Sequence, residues 1–429
     1  MRIKMVHFEA FKSLYDFSMD FDDMTVITGA NGSGKSNLVD GLVFLSNTYL
    51  HGLELAVSHG GGYENIAHRR TRRARRPIRI VVEVELDRRD IDEGLRYSTI
   101  KRDKRADQRS SIASLIIRHE FAFRAVSQSL TADFEVTEEA VSIILEDGRL
   151  AAKVDRSANG SVSVIQPSIE EDVSRLMQDL LFAYHRDERL LEMRPEPSEL
   201  FFSRGIYVDI FWVTKRFLSS IRVFQLSPHT SRVAGVASPR AQLERHGDNL
   251  PGAANYLRRN HPDEWSRIEA AMRSIMPTLE EISIAYTEDR RLAVQFRERG
   301  LGRAWNSSEV SDGTIQALAL LVAIFDPRPS ILAIEELENA LHPWILRQIL
   351  DLCQESTRQI LLTTHSPVLL TAVPPLSVQL MWMDAGRTST APLALLDPDI
   401  SKEVIDGQIT IFELLDSGAI ERALPRGLA

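Results

Sequence analysis

Residues Gly29, Ala30, Asn31, Gly32, Ser33, Gly34, Lys35 and Ser36 fit the spacing G-x-x-x-x-G-K-[ST] at every fixed position. Glycines so placed let successive backbone N–H groups curl around phosphate oxygens, and a helix starting at the lysine directs its positive end at the same anion. Lys35 would reach the β- and γ-phosphates of a nucleotide, and the Ser36 hydroxyl would ligate Mg²⁺. A Gly-rich turn before a helix is the plainer alternative. The loop's place between strand-like "DMTVIT" and helix-like "NLVDGLVFLSNTYL" favours the phosphate reading.

A second chemical stretch is "ILAIEELENALHP", residues 331–343, which runs from an apolar strand straight into Glu335 and Glu336. A site that hydrolyses a nucleotide needs one carboxylate for the Mg²⁺ shell and a group that orients the attacking water. Glu335 is expected in the first role and Glu336, as general base, in the second. Most sequences of this kind place Asp first, so Glu335 is a departure, with a longer side chain reaching the metal from further back. In isolation, paired acids at a strand end are an ordinary solvated edge. Three companions change that reading. "SDGT", Ser311 to Thr314, precedes an apolar helix; "ENALHP" follows the glutamates at once; and "LLTTHSP" puts His365 at the end of the next strand, where it can hydrogen-bond a γ-phosphate.

The elements that must position these residues follow from periodicity. "RIKMVHFEAF", "DFSMDF" and "RIVVEVELD" alternate as strands, a helix runs on from Lys35, "GTIQALALLVAIF" is an apolar helix, and "SILAI" and "RQILLTTH" are buried strands. "PDEWSRIEAAMRSIMP" has Pro262 at a helix start and Pro277 at its stop. Strands alternating with helices at both chain ends, around a stretch of different texture, predict an α/β core split by a long insertion. The expected organisation is an N-terminal lobe over 1–86, an α+β insertion over 87–290, a C-terminal lobe over 291–385 and a tail over 386–429. There are no internal repeats and no sustained heptads of the kind a coiled-coil arm requires.

In this order the motifs resemble the soluble ABC-type ATPases of the RecF, SMC and OLD kind, particularly compact bacterial AAA-family ATPases. The resemblance rests on "FEAFKS", "GANGSGKSN", "HGDNLPGAANYLR", "SDGT", "IEELENALHP" and "TTHSP". Leu337 stands where the family usually has proline, and "SDGT" is a shortened form of the LSGGQ signature. The resemblance implies an ABC-type P-loop head, a mixed sheet with flanking helices, that binds ATP and Mg²⁺. It implies that Lys12, Ser13 and Asn37 approach the nucleotide together with the loop, and that Ser311, Asp312 and Gly313 of one chain close over the ATP of a second. A homodimer or higher homo-oligomer bridged by ATP follows, with Glu336, His365 and Lys35 as the catalytic set. Systems of the Septu and PARIS type pair such an ATPase with a separate nuclease in anti-phage defence. A RecF-like repair ATPase and a transporter subunit are the alternatives. A long insertion and the lack of an apolar span weigh against the transporter, and the lack of an Asn-Lys-x-Asp motif weighs against a GTPase.

Composition bounds the rest. The net charge is −9 with 26% charged residues, which argues against a surface coated in nucleic acid and leaves room for a local patch. "HRRTRRARRPIR" supplies one, at Arg69, Arg70, Arg72, Arg73, Arg75 and Arg76. Such runs are commonly solvated faces; the alternative is contact with a DNA backbone, which Arg geometry suits. Cys353 is the only cysteine, so neither an intrachain disulfide nor a cysteine metal site is expected. Neither a signal-peptide core nor an 18-residue apolar run is present, so a cytoplasmic protein with no membrane contact is expected. "DPD" at Asp397 to Asp399 reads as a turn: its central proline, and the 64 residues that follow His365, leave no room for a TOPRIM nuclease.

Overall fold

A computed structural model describes residues 1–68, 76–97, 112–126, 133–156, 160–167, 170–171, 173–174, 177, 195–204, 209–396, 409–417 and 420. In chain order its strands are β1 (Arg2–Phe11), β2 (Leu14–Asp20), β3 (Met24–Thr28), β4 (Ile78–Asp87), β5 (Ser114–Ala125), β6 (Phe134–Leu145), β7 (Leu150–Arg156) and β8 (Val162–Ile165). They continue as β9 (Ile221–Phe224), β10 (Leu279–Tyr286), β11 (Leu292–Glu298), β12 (Trp305–Asn306), β13 (Ile331–Glu335), β14 (Gln359–Thr363), β15 (Val378–Asp384) and β16 (Arg387–Pro392). The helices used below are α1 (Lys35–His51), α2 (Asp209–Ser219), α3 (Leu250–Asn260), α4 (Pro262–Ile275), α5 (Asp312–Phe325) and α6 (Pro343–Gln354). The chain divides into two compact units. Unit 1 is Met1–Asp22, Gly32–Ile221 and Trp382–Thr390; unit 2 is Asp23–Asn31, Arg222–Met381 and Ala391–Ala429.

Unit 1 is built on a seven-stranded antiparallel sheet in the order β2-β1-β4-β5-β6-β7-β8. The alternation of "RIKMVHFEAF" buries Val6, Phe8 and Ala10 on β1, as a period of two requires, and a register shift between Ile3 and Met5 precedes them. Register sets Phe8 opposite Ile80 and Val6 opposite Val82 on β4. Helix α1 lies on this face. A methyl group at Gly41 would fall 2.7 Å from the Phe8 ring, so the close approach of helix to strand depends on that glycine. Phe44 of α1 sits 5.5 Å from Phe11 and 6.0 Å from Phe123, ring centre to ring centre. Deeper in the unit, the Tyr49 hydroxyl meets His119 Nδ1 at 2.7 Å, and His119 Nε2 lies 3.4 Å from Glu139 Oε1. Glu139 also accepts the N–H groups of Phe201 (2.8 Å) and Phe202 (3.0 Å). Burial pushes the Tyr49 hydroxyl pKa well up, and the Glu139 charge adds to the shift.

Unit 2 carries the strands that matter for the chemistry. Its parallel strands run in the order β15-β3-β14-β13. "ILAIE" and "QILLT" are buried at every position, the pattern of parallel strands covered on both faces. Helix α5 is buried from Ile315 to Phe325, and α4, α6 and α3 pack against it. A separate three-stranded antiparallel sheet, β10-β11-β12, completes the unit. Each strand and helix named from the sequence forms where periodicity placed it, and the mixed α/β class is as expected. Of the helical texture expected over 170–220, α2 is fully within the described residues.

Candidate active site

The parallel register brings three strand ends level within unit 2. Thr363 of β14 pairs with Ile27 of β3 on one side and with Glu335 of β13 on the other. The chain leaves β3 as Gly29, Ala30 and Asn31, leaves β13 as Glu336, and leaves β14 as Thr364 and His365. Ligands of open α/β sheets gather outside these carboxyl ends. Two stretches more than three hundred residues apart in sequence therefore meet at one edge.

The phosphate loop runs on from Asn31 into unit 1. Gly32 and Gly34 have φ of 79° and 103°, values that an L side chain resists. At Gly34 the space is closed as well, because a methyl group there would fall 2.0 Å from Thr388 Oγ1. Helix α1 begins at Lys35, Lys35 Nζ lies 3.4 Å from Ser33 Oγ, and Ser36 is exposed. Asn37 donates to Ser13 Oγ at 2.6 Å, and Ser13 Oγ also meets Thr388 Oγ1 at 2.6 Å. Lys12, at φ 48°, pairs with Asp40 one helical turn further on, at 2.6 Å. The "FKS" segment therefore braces the first turns of α1, and the Lys12 ammonium is matched by a carboxylate of that helix.

Glu335 is 6% exposed. A buried carboxylate needs a partner, and Arg245 supplies it, with Nη2 at 2.8 Å from Oε1. Arg245 lies just before "HGDN", and its carbonyl accepts the Gln225 N–H at 2.8 Å, where the chain leaves β9. Glu336 is exposed and has φ of 52°, a left-handed conformation that costs a non-glycine residue about 1–3 kcal/mol and persists where the surroundings enforce it. Here its N–H donates to the Thr363 carbonyl at 3.0 Å and lies 3.2 Å from Thr363 Oγ1. Glu338 is an acid to which the sequence alone assigned no role; it accepts from the Thr364 hydroxyl and from the His365 N–H.

The signature stretch is equally well built. Ser311 caps α5, its Oγ accepting the Thr314 N–H at 3.1 Å. Asp312 pairs with Arg232 at 2.5 Å, and Arg232 also donates to the carbonyls of Ser307 and Val310. A methyl group on Gly313 would lie 3.2 Å from the Ala340 carbonyl oxygen, so the signature and "ENALHP" are neighbours. Arg232, Arg245 and Glu338 have no motif spacing of their own; Glu338 lies inside "ENALHP", and Arg245 stands one residue before "HGDNLPGAANYLR".

Five arginines of the basic run, Arg69, Arg70, Arg72, Arg73 and Arg75, lie outside the described residues, as does "DPD" at 397–399. Arg76 is described. It bonds to Glu9 and the Tyr15 hydroxyl and sits 4.9 Å over the Tyr15 ring, so its charge is matched within the chain. Among the described residues no helix is long and apolar enough to cross a membrane.

A glycine loop follows one parallel strand, paired acids a second and a histidine a third, as in a P-loop ATPase head. The chain belongs to the family described as "AAA domain, putative AbiEii toxin, Type IV TA system", which matches residues 24–371. It is also similar to the mitotic chromosome and X-chromosome-associated protein mix-1 of Caenorhabditis elegans, 40% identical over 73 residues. That match takes in 14% of this chain and 6% of mix-1, so the chain spans a small part of that relative's length. Among solved structures it is similar to an Smc head bound to the C-terminal winged-helix domain of ScpA, with a TM-score of 0.44 at 13% identity, over 91% of this chain and 98% of that one. The SMC head domain of Thermotoga maritima gives 0.38 at 13% identity, over 91% and 99% of the two chains. An Smc head with an extended coiled coil, bound to the C-terminal domain of ScpA derived from Pyrococcus furiosus, gives 0.44 at 12% identity, over 95% and 99%.

Proposed function

We propose that the chain binds ATP with Mg²⁺ and hydrolyses it at the carboxyl ends of β3, β13 and β14. The observation that carries this reading is the level register Ile27–Thr363–Glu335, which sets the start of the phosphate loop beside both acids and the histidine. Gly29 to Ser36 cradle the phosphates, and Lys35 neutralises the charge that grows on them. Water attacks the γ-phosphorus as the bond to the ADP oxygen breaks. Glu336 takes the water's proton, and His365 hydrogen-bonds the transferred phosphoryl group and fixes the water's line of approach.

The residues suit Mg²⁺. This ion uses one or two protein oxygens together with substrate phosphate and water, in place of an all-protein cage. Glu335 offers oxygens of that kind at the end of its strand. When bound, Mg²⁺ neutralises phosphate charge.

In this reading Ser311, Asp312 and Gly313 of one copy close over the nucleotide of another, and ATP bridges a homodimer. Turnover then serves the sensing of nucleic acid or phage components in anti-phage defence, with a separate nuclease as effector. The tests are ATP turnover with and without double-stranded DNA, and mass in solution with a non-hydrolysable ATP analogue. Mg²⁺-dependent phosphate release and an analogue-induced doubling of mass are expected. Failure to bind ATP at millimolar Mg²⁺ would remove the reading.

A further inference from the structure

Glu338 leaves β13 three residues after Glu335, half-buried, and both of its carboxylate oxygens are used. Oε2 accepts the Thr364 hydroxyl at 2.9 Å, and Oε1 accepts the His365 N–H at 2.8 Å. The residues it grips are themselves fixed. Thr364 is fully buried, its N–H donates to the Ile27 carbonyl at 3.0 Å, and its Oγ1 accepts the Ser366 N–H at 2.9 Å. Two residues before Glu338, the N–H of Glu336 is anchored on the Thr363 carbonyl.

The segment leaving β13 is thus fastened to the corner leaving β14 at two points. One is the strained backbone of Glu336, and the other is the carboxylate of Glu338. Hydrogen bonds to an ionised acceptor are roughly twice as strong as neutral ones, and two of them on one planar group fix orientation as well as distance. The Thr364 N–H on the Ile27 carbonyl holds Thr364 itself; the carboxylate extends that hold to the backbone of His365.

We infer that Glu338 is a positioning residue that holds His365 at its working place relative to Glu336. It therefore governs the chemical step and not nucleotide capture. This rests on the ATPase reading above. Glu338 touches neither the loop glycines nor Lys35 among its described contacts, so its loss leaves ATP binding in place.

The test compares the full-length chain with Glu338→Ala, Glu338→Gln and Thr364→Val. ATP turnover, ATP binding and amide hydrogen exchange across residues 363–368 are measured on each. Glu338→Ala is expected to lower kcat by roughly 10- to 100-fold, the cost of a misplaced catalytic group, with KM within about twofold. Exchange at the His365 amide should accelerate by roughly tenfold as its charged acceptor disappears. Glu338→Gln keeps an acceptor for that amide and should restore most of both. Thr364→Val removes the donor to Glu338 together with the acceptor of the Ser366 N–H, leaves the Glu338 bond to the His365 N–H in place, should give a smaller loss, and keeps the test open if Glu338→Ala does not fold. Turnover of Glu338→Ala within about twofold of wild type, or unchanged protection of the His365 amide, overturns the inference alone. Equal loss of ATP binding in the alanine and glutamine variants also overturns it. A wild-type chain without turnover overturns both this inference and the ATPase reading.

Discussion

Glu139 and Glu335 are both buried glutamates on strands, one in each unit, and they do opposite things. Glu139 stands mid-strand in β6, opposite Phe121. The chain's own donors surround it: two backbone N–H groups, His119, and the Arg156 guanidinium at 3.8 Å. Arg156 is also tied to the Glu199 carbonyl. This is a knot that ties the 196–204 segment to the sheet. Glu335 stands at the last position of a parallel strand, meets Arg245, and is followed at once by a residue of positive φ. Burial of a carboxylate therefore does not mark a site. What separates the two is the strand end, where the sheet stops supplying hydrogen-bond partners and the backbone must turn outward.

The comparison can be broken most severely at Glu139. Its replacement by Ala leaves Arg156 buried without its counter-charge and His119 Nε2 without its partner, and should lower the unfolding free energy by about 3–5 kcal/mol. Urea titration reads that loss, and ATP affinity of the folded fraction should be unchanged. Lys35→Ala should do the reverse. ATP affinity is expected to fall by roughly 100-fold, the value of a charged hydrogen bond to phosphate, with the denaturant midpoint in the absence of nucleotide unmoved. Tyr49→Phe removes one hydrogen bond from the Glu139 knot and should cost about 1 kcal/mol.

The smallest effect concerns Cys353. Burial pushes its thiol up to about 12, so the native chain should resist alkylation at pH 8, while the urea-unfolded chain reacts. The raised value means that the folded state keeps the proton. Unfolded thiol ionises near pH 8.5, so this contribution to stability is complete below that pH and is lost as pH climbs towards 12.

Much of the site was legible because it is local. The glycine spacing of residues 29–36, the apolar runs before Glu335 and Thr363, and the helix start after Ser311 are each settled by a few neighbours in sequence. What stayed hidden is long-range pairing. No periodicity announces that Arg245 will neutralise Glu335 ninety residues away, or that Glu338 will grip the backbone of His365. Nor does it show that Thr388 will close the space beside Gly34. Strand partners were hidden for the same reason: β1, β2 and β4 read as strands, but their continuation through β5 to β8 into one antiparallel sheet depends on contacts that composition does not encode. The unit 1 knot was invisible too, since Tyr49, His119 and Glu139 lie on separate elements with unremarkable spacing.

The central claim is that the acid just past the end of β13 acts on water at a nucleotide. Turnover by Glu336→Gln tests it most directly, with light scattering on the same samples. The variant should bind ATP as wild type does, lose hydrolysis by at least roughly 100-fold, and accumulate as an ATP-bound dimer. Hydrolysis at the wild-type rate, with no dimer retained in ATP, would contradict the account.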